Sequence, residues 1–154
     1  LNAAYPEVRT LRDAKVEQLQ TQRNKMPDVV FRRSQFIIQE NQRVLDLAEV
    51  LADGNRAKIR TLLLDSYEGA RTLYEIVSPE MEAMMQAMRR GPGVVGARQA
   101  GAGFGGCMVA FVKNEAVNAF AAHVKESYQA TTTIEPKVYP VQAAAGVGPL
   151  YFSE

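Results

Sequence analysis

Residues 96–107 read Gly96-Ala97-Arg98-Gln99-Ala100-Gly101-Ala102-Gly103-Phe104-Gly105-Gly106-Cys107, five glycines in twelve residues, and run straight into the apolar Met108-Val109-Ala110-Phe111-Val112. No other stretch of the chain has this pattern. Closely spaced glycines let the backbone take positive φ and remove Cβ atoms, so successive N–H groups can converge on an anion or meet another stretch of chain. Two readings follow from these residues alone. One is a phosphate-type loop; the other is a tight strand-to-strand turn whose glycines serve packing only.

The rest of the chain limits what such a loop belongs to. With 154 residues it is one domain by length, enough to bury a real core. Lys and Arg number 18 against 17 Asp and Glu, a formal net charge of +1, so no charge excess points to nucleic acid or an acidic lipid surface. Cys107 is the single cysteine, which excludes an internal disulfide and every multi-cysteine zinc motif; within an apolar run it is expected to be buried and inert. No stretch has the apolar length of a membrane span and the start has no signal-peptide pattern, so a reducing cytoplasm is the expected compartment. The chain begins with Leu1 rather than methionine, and is expected to be a piece of something longer.

Read in order, Tyr5-Pro6 predicts a turn and residues 10–20 a short helix carrying Leu11, Val16 and Leu19. From Asp28, read as an N-cap, a long helix runs to about Ala52, with Ile37, Ile38, Val44, Leu45, Ala48 and Leu51 as its apolar stripe. Asp53-Gly54-Asn55 ends it. A helix starting near Arg56 places Ile59, Leu62, Leu63, Ala70 and Leu73 on one face, and the two helices are expected to pack as an antiparallel hairpin. Ser78-Pro79-Glu80 is a helix start, and the helix over 79–88 carries Met81, Met84, Met85 and Met88 at spacings of three and four, read as core. Gly91-Pro92-Gly93 stops it.

Residues 94–100 and 106–112 read as strands, the second buried on both faces. A helix over 114–128 turns Val117, Phe120, Ala121 and Val124 inward and leaves His123 as an exposed bystander. Residues 131–142 alternate, Ile134 and Val138 against Thr133, Glu135 and Lys137, and Pro136 and Pro140 confine them to a sheet edge. Residues 143–154 read as a loose tail. The expected class is α+β, an antiparallel sheet around 94–112 and 131–142 with helices on one side.

Gly101, Gly103 and Gly106 satisfy G-x-G-x-x-G, but a dinucleotide fingerprint opens a helix, and here the glycines open a strand. A Walker loop needs Lys-Ser or Lys-Thr after the glycines, which is absent. The flap of a protein kinase does lie between strands, but Lys113 comes too soon for its strand lysine and His123 is followed by Val124 rather than Arg-Asp.

The twelve-residue string resembles the third motif of the GHMP kinases, small-molecule kinases named for galactokinase, homoserine kinase, mevalonate kinase and phosphomevalonate kinase. It is closest to the galactokinase form, G-A-R-M-T-G-A-G-F-G-G-C, with Gln99-Ala100 in place of Met-Thr. Tyr5-Pro6, Leu11-Arg12-Asp13, Arg32-Arg33, Glu40-Asn41-Gln42-Arg43-Val44-Leu45, Tyr74-Glu75 and Pro79-Glu80-Met81-Glu82 extend the likeness upstream. The resemblance implies a ferredoxin-like C-terminal domain preceded by the helical hairpin. It also implies a reaction, transfer of phosphate from ATP with Mg2+ to the C1 hydroxyl of galactose or a related sugar.

In that family the phosphate loop, the catalytic aspartate, its basic neighbour and most sugar contacts belong to an N-terminal domain outside this sequence. The resemblance therefore assigns no catalytic residue and no metal ligand here, and sugar and MgATP are met through that other domain. The backbone amides of Gly101, Ala102, Gly103, Phe104, Gly105 and Gly106 would close the cleft beside the nucleotide phosphates, flanked by Arg98, Gln99 and Ala100. Arg98 has two readings, a reach toward phosphate and a structural charge. Tyr67 and Val77 depart from the family's Ser-His and Ser or Thr, and with Gln99-Ala100 they leave the sugar open. A non-catalytic sugar-sensing or partner-binding module of the same fold is the alternative.

Overall fold

The computed structural model describes residues 1–101, 103–144 and 146. Helix α1 spans Val16–Thr21 and is shorter than its pattern suggested. The Asp13 carboxylate accepts hydrogen bonds from the Thr10 N–H at 2.8 Å and the Arg9 N–H at 3.2 Å, which closes a turn ahead of the helix. Helix α2 spans Asp28–Asp53; Asp28 stands inside its first turn, pairing with Arg23 and Arg32, and Pro27 is the cap. Gly54, at φ 65°, ends the helix in the left-handed conformation that glycine takes most readily.

Helix α3, Arg56–Gly69, is capped by Asn55, whose Oδ1 accepts from the Lys58 N–H at 3.1 Å, and one π turn over Ala70–Tyr74 extends it. The hairpin of α2 and α3 is antiparallel: Val50 clusters with Ile59 and Leu63, Glu40 bonds Ser66, and Phe36 clusters with Ala70. Its seam on α2 therefore runs through Phe36, Glu40, Arg43, Leu47 and Val50. The expected stripe is only partly right, since Ile38 is buried whereas Val44, Leu45 and Leu51 are exposed. Two charged residues occupy seam positions that an apolar pattern does not mark.

Helix α4 covers Pro79–Arg90, with the Ser78 Oγ accepting from the Met81 N–H at 3.3 Å and arginines in its last turn. Strands β1 (Val94–Ala100) and β2 (Cys107–Val112) pair antiparallel, Ala97 opposite Ala110, Arg98 opposite Val109 and Gln99 opposite Met108. Helix α5 spans Val117–Thr132 after a short 3-10 turn. The central core joins Tyr67, Met85, Met88, Ala97, Phe120 and Val124, so the methionines are packing residues as expected. Each such side chain, fully buried, is worth roughly 1.5–3 kcal/mol in transfer from water. A second cluster around Leu19, Phe31 and Ile38 fastens the N-terminal segment to α2.

Three expectations need correction. Residues 131–142 form no strand: α5 takes Thr131 and Thr132, whose hydroxyls donate to the carbonyls of Ser127 and Tyr128 at 2.9 Å, and residues 134–142 pair with no strand among the described residues. Strand β2 is not buried on both faces, because Met108, Ala110 and Val112 pack on the core while Val109 and Phe111 are 41% and 42% exposed. Cys107, at its open start, is exposed rather than buried. Of the tail expected over 143–154, only 143, 144 and 146 are described; Ala145 and 147–154 lie outside the described residues.

Candidate functional site

The glycine-rich loop is built by positive φ at nearly every described position: 94° at Gly101, 85° at Gly103, 55° at Phe104, 128° at Gly105 and 101° at Gly106. Ala102 lies outside the described residues. Gly103 is the tightest point. A Cβ there would stand 2.7 Å from the Cβ of Ile76 and 2.9 Å from its carbonyl oxygen, distances that side chains do not tolerate. The contact presses the loop onto the junction between α3 and α4. The Phe104 N–H donates to the Ile76 carbonyl at 2.7 Å, and the Gly105 N–H points at the Met81 sulfur at 3.3 Å. Two of the amides expected to close the cleft beside the nucleotide phosphates are thus engaged inside the chain. The Phe104 ring is 76% exposed.

At the base of the loop Arg98 is ion-paired. Its Nη1 donates to Glu40 Oε1 at 2.8 Å and its Nε to the Gln99 carbonyl at 3.1 Å. Glu40 is the hub, accepting also from the Ser66 hydroxyl at 2.7 Å and the Arg43 Nε at 2.8 Å. Of the two readings of Arg98, the geometry is that of a structural charge. Burial pushes the Glu40 carboxyl up, but hydrogen bonds from Arg43 and Ser66 and the charges of Arg98 and Arg43 outweigh it and hold the group below its usual range. A carboxylate with a depressed native pKa stabilises fully above its ordinary value of 4.5, and that contribution is lost as pH falls through the lowered value. The difference in unfolding midpoint between the parent and Glu40→Gln is therefore expected to shrink as pH is taken from about 6 to about 3. Calorimetry across that range checks it, and a constant difference would mean that Glu40 carries no such charge.

Gln99 faces the other way, 4% exposed, with its Oε1 unpartnered among the described residues, and Ala100 is exposed at the strand end. Tyr67 is buried and its hydroxyl donates to Glu82 at 2.8 Å; burial, then the Glu82 carboxylate, raises its pKa. Val77 packs against the core. Tyr67, Val77 and Gln99, all departures from the family pattern, are packing positions. His123 is half-buried, with an enclosed Nε2 that has no partner among the described residues, not the exposed bystander expected. Beside the loop, a groove of about 1040 Å3 runs between β2, α4, α5 and residues 134–142, with Phe104, Gly105 and Gly106 among its lining. Among the described residues, no three His, Cys, Asp or Glu side chains converge on a metal position, and no helix is long and apolar enough to cross a membrane.

Together, the hairpin, the two-stranded sheet and the folded-down glycine loop define an α+β domain of the GHMP type. Residues 47–130, more than half of the chain, match the GHMP kinases C-terminal family, and the chain belongs to it. Its relatives include the galactokinases of Bos taurus, 34% identical over 93% of this chain, and of Roseiflexus sp. (strain RS-1), 31% identical over 94%. This chain spans only 36% and 37% of those proteins. The solved structure of Lactococcus lactis galactokinase complexed with galactose superposes with a TM-score of 0.77 at 26% identity. It covers 83% of this chain, which corresponds to 33% of that one.

Proposed function

We propose that this chain is the C-terminal domain of an ATP-dependent sugar kinase that transfers the γ-phosphate to the C1 hydroxyl of galactose or a closely related sugar. The observation that carries this reading is the galactokinase likeness along nine-tenths of the chain, glycine-rich string included. In such transfer the sugar oxygen forms the new bond to the γ-phosphorus as the bond to the ADP oxygen breaks. Protein groups mainly position the two and stabilise spread charge.

We assign the glycine loop to this reading: Gly101, Ala102, Gly103, Phe104, Gly105 and Gly106 would close the cleft beside the nucleotide phosphates without reacting. Arg98, Gln99 and Ala100 lead the chain into it. ATP supplies the phosphoryl group and Mg2+ accompanies it, but this domain assigns no ligand to the ion. The acid-base chemistry and most sugar contacts belong to a preceding domain, and the protein works in the cytoplasm without nucleic acid or membrane partners. The alternative is a sugar-sensing or partner-binding module that kept the fold without the chemistry; the departures at Tyr67, Val77 and Gln99-Ala100 raise it, although Tyr67, Val77 and Gln99 are packing positions.

ADP release from MgATP with a panel of hexoses separates the two, using a longer natural protein that contains this sequence and this segment alone as control. Turnover of galactose by the longer chain only is the expected result. No turnover of any sugar by either would replace the kinase reading with the module.

A further inference from the structure

We infer that Arg98 and Glu40 act as a clamp that sets where the glycine loop sits, Arg98 being its positioning residue. Any catalytic consequence rests on the kinase reading above. Strand β1 is tied at both ends by arginines. At its start, the Arg60 side chain donates to the carbonyls of Val94 and Val95 at 3.1 and 3.0 Å, where the ladder is irregular. At its end, the Arg98 guanidinium bridges the Glu40 carboxylate on α2 and the Gln99 carbonyl, two residues before the backbone turns to positive φ at Gly101. The loop is then tied a second time, beyond its tightest point, where Phe104 bonds Ile76.

The geometry of the hub argues for placement as well as neutralisation. Glu40 and Arg43 side chains are each only 15% exposed, and Glu40 is held by Ser66 and Arg43 from α3 and α2 before Arg98 is counted. Arg98 meets that held carboxylate through a single charge-assisted bond from Nη1 and rests its Nε on the Gln99 carbonyl, which fastens the strand end to α2. Without it, the end of β1 keeps its ladder bonds to β2 and the packing of Ala97 and Gln99 beneath, but loses its side-chain tie to α2. The tie therefore transmits the position of the α2–α3 hairpin to the loop base, and the Phe104–Ile76 bond closes only when that base is in register.

The test uses a longer natural protein that contains this sequence, with Arg98→Met, which leaves the Glu40 carboxylate paired with Arg43 and bonded by Ser66 so that no buried charge is stranded. Arg98→Lys serves as the conservative variant. Amide exchange is followed at Phe104 and Gly105, in the ladder at residues 96 and 97, and in α5; ATP KM and kcat are measured with sugar in excess. The clamp predicts exchange at Phe104 at least about tenfold faster with α5 unchanged, because local opening and global unfolding are separate equilibria. It also predicts an ATP KM raised about tenfold with kcat within about threefold, and most of both effects absent from Arg98→Lys, which keeps a cation beside Glu40.

Equal acceleration at Phe104 and in α5 would show that the network only holds up the fold and would overturn the proposal. Unchanged exchange at Phe104 would do the same. The exchange arm requires no sugar turnover, so an inactive parent protein would sink the kinase reading while the clamp is still decided.

Discussion

On the proposed kinase reading, Gly103→Ala in a longer protein containing this sequence is expected to reduce sugar-dependent ADP release by about 10- to 100-fold while lowering the unfolding midpoint only slightly. The residue sits at φ 85°, and its missing Cβ is what lets the loop lie on Ile76, since a Cβ there would stand 2.9 Å from the Ile76 carbonyl oxygen. An alanine adds roughly 1–2 kcal/mol of left-handed backbone strain and a contact that backbone atoms cannot relieve in place. The least costly response is for the loop to lift, which breaks the 2.7 Å bond from the Phe104 N–H to Ile76. Displacing a positioned group by about 1 Å can cost a hundredfold in rate, whereas the core beneath is untouched. Gly101→Ala is the control, since its φ of 94° is also strained but no described residue lies within 4 Å of the added carbon. Its effect is expected to be several times smaller. Activity of Gly103→Ala within about threefold of the parent would mean that loop placement does not govern the reaction.

Phe120→Ala is expected to remove about 3–5 kcal/mol of stability. The ring lies at the centre of the core formed by α3, α4, α5 and β1, and it fills the space beside Gly91, where a Cβ would come within 2.5 Å of it. That space joins the end of α4 to the strand that follows, so the surroundings cannot close over a void without moving both. For a domain of this size the loss corresponds to a fall in midpoint of roughly 10 °C or more, read by calorimetry. Phe104→Ala, which removes an exposed ring, is expected to change stability by less than about 0.5 kcal/mol. A loss below about 1 kcal/mol for Phe120→Ala would place the ring outside the cooperative core.

Much of the architecture was legible because it is local. The Ser78-Pro79 start, the glycine stops, the methionine spacing of α4 and the two strands around the loop all follow from periodicity and cap chemistry. The α2 seam was read only in part. Hydrophobic periodicity marks apolar residues, whereas the seam uses Glu40 and Arg43, charges made tolerable by Ser66 and by Arg98, 58 residues further along the chain. The spacing of Phe36, Glu40, Arg43, Leu47 and Val50, alternately four and three, was the available signal. It becomes visible only when charged residues are allowed onto a buried line.

The alternation over 131–142 misled for a different reason. A strand needs a partner edge as well as a pattern, and the threonines at 131 and 132 had a nearer option in the last turn of α5. The sequence by itself determined the helices, the position of the loop and its need for glycine, since these depend on φ/ψ preference and short-range spacing. Tertiary structure alone decided that Arg98 meets Glu40, that Gly103 rests on Ile76, and that Cys107 is exposed. Those outcomes join residues far apart in the chain or depend on which layers cover them, and no local preference encodes that.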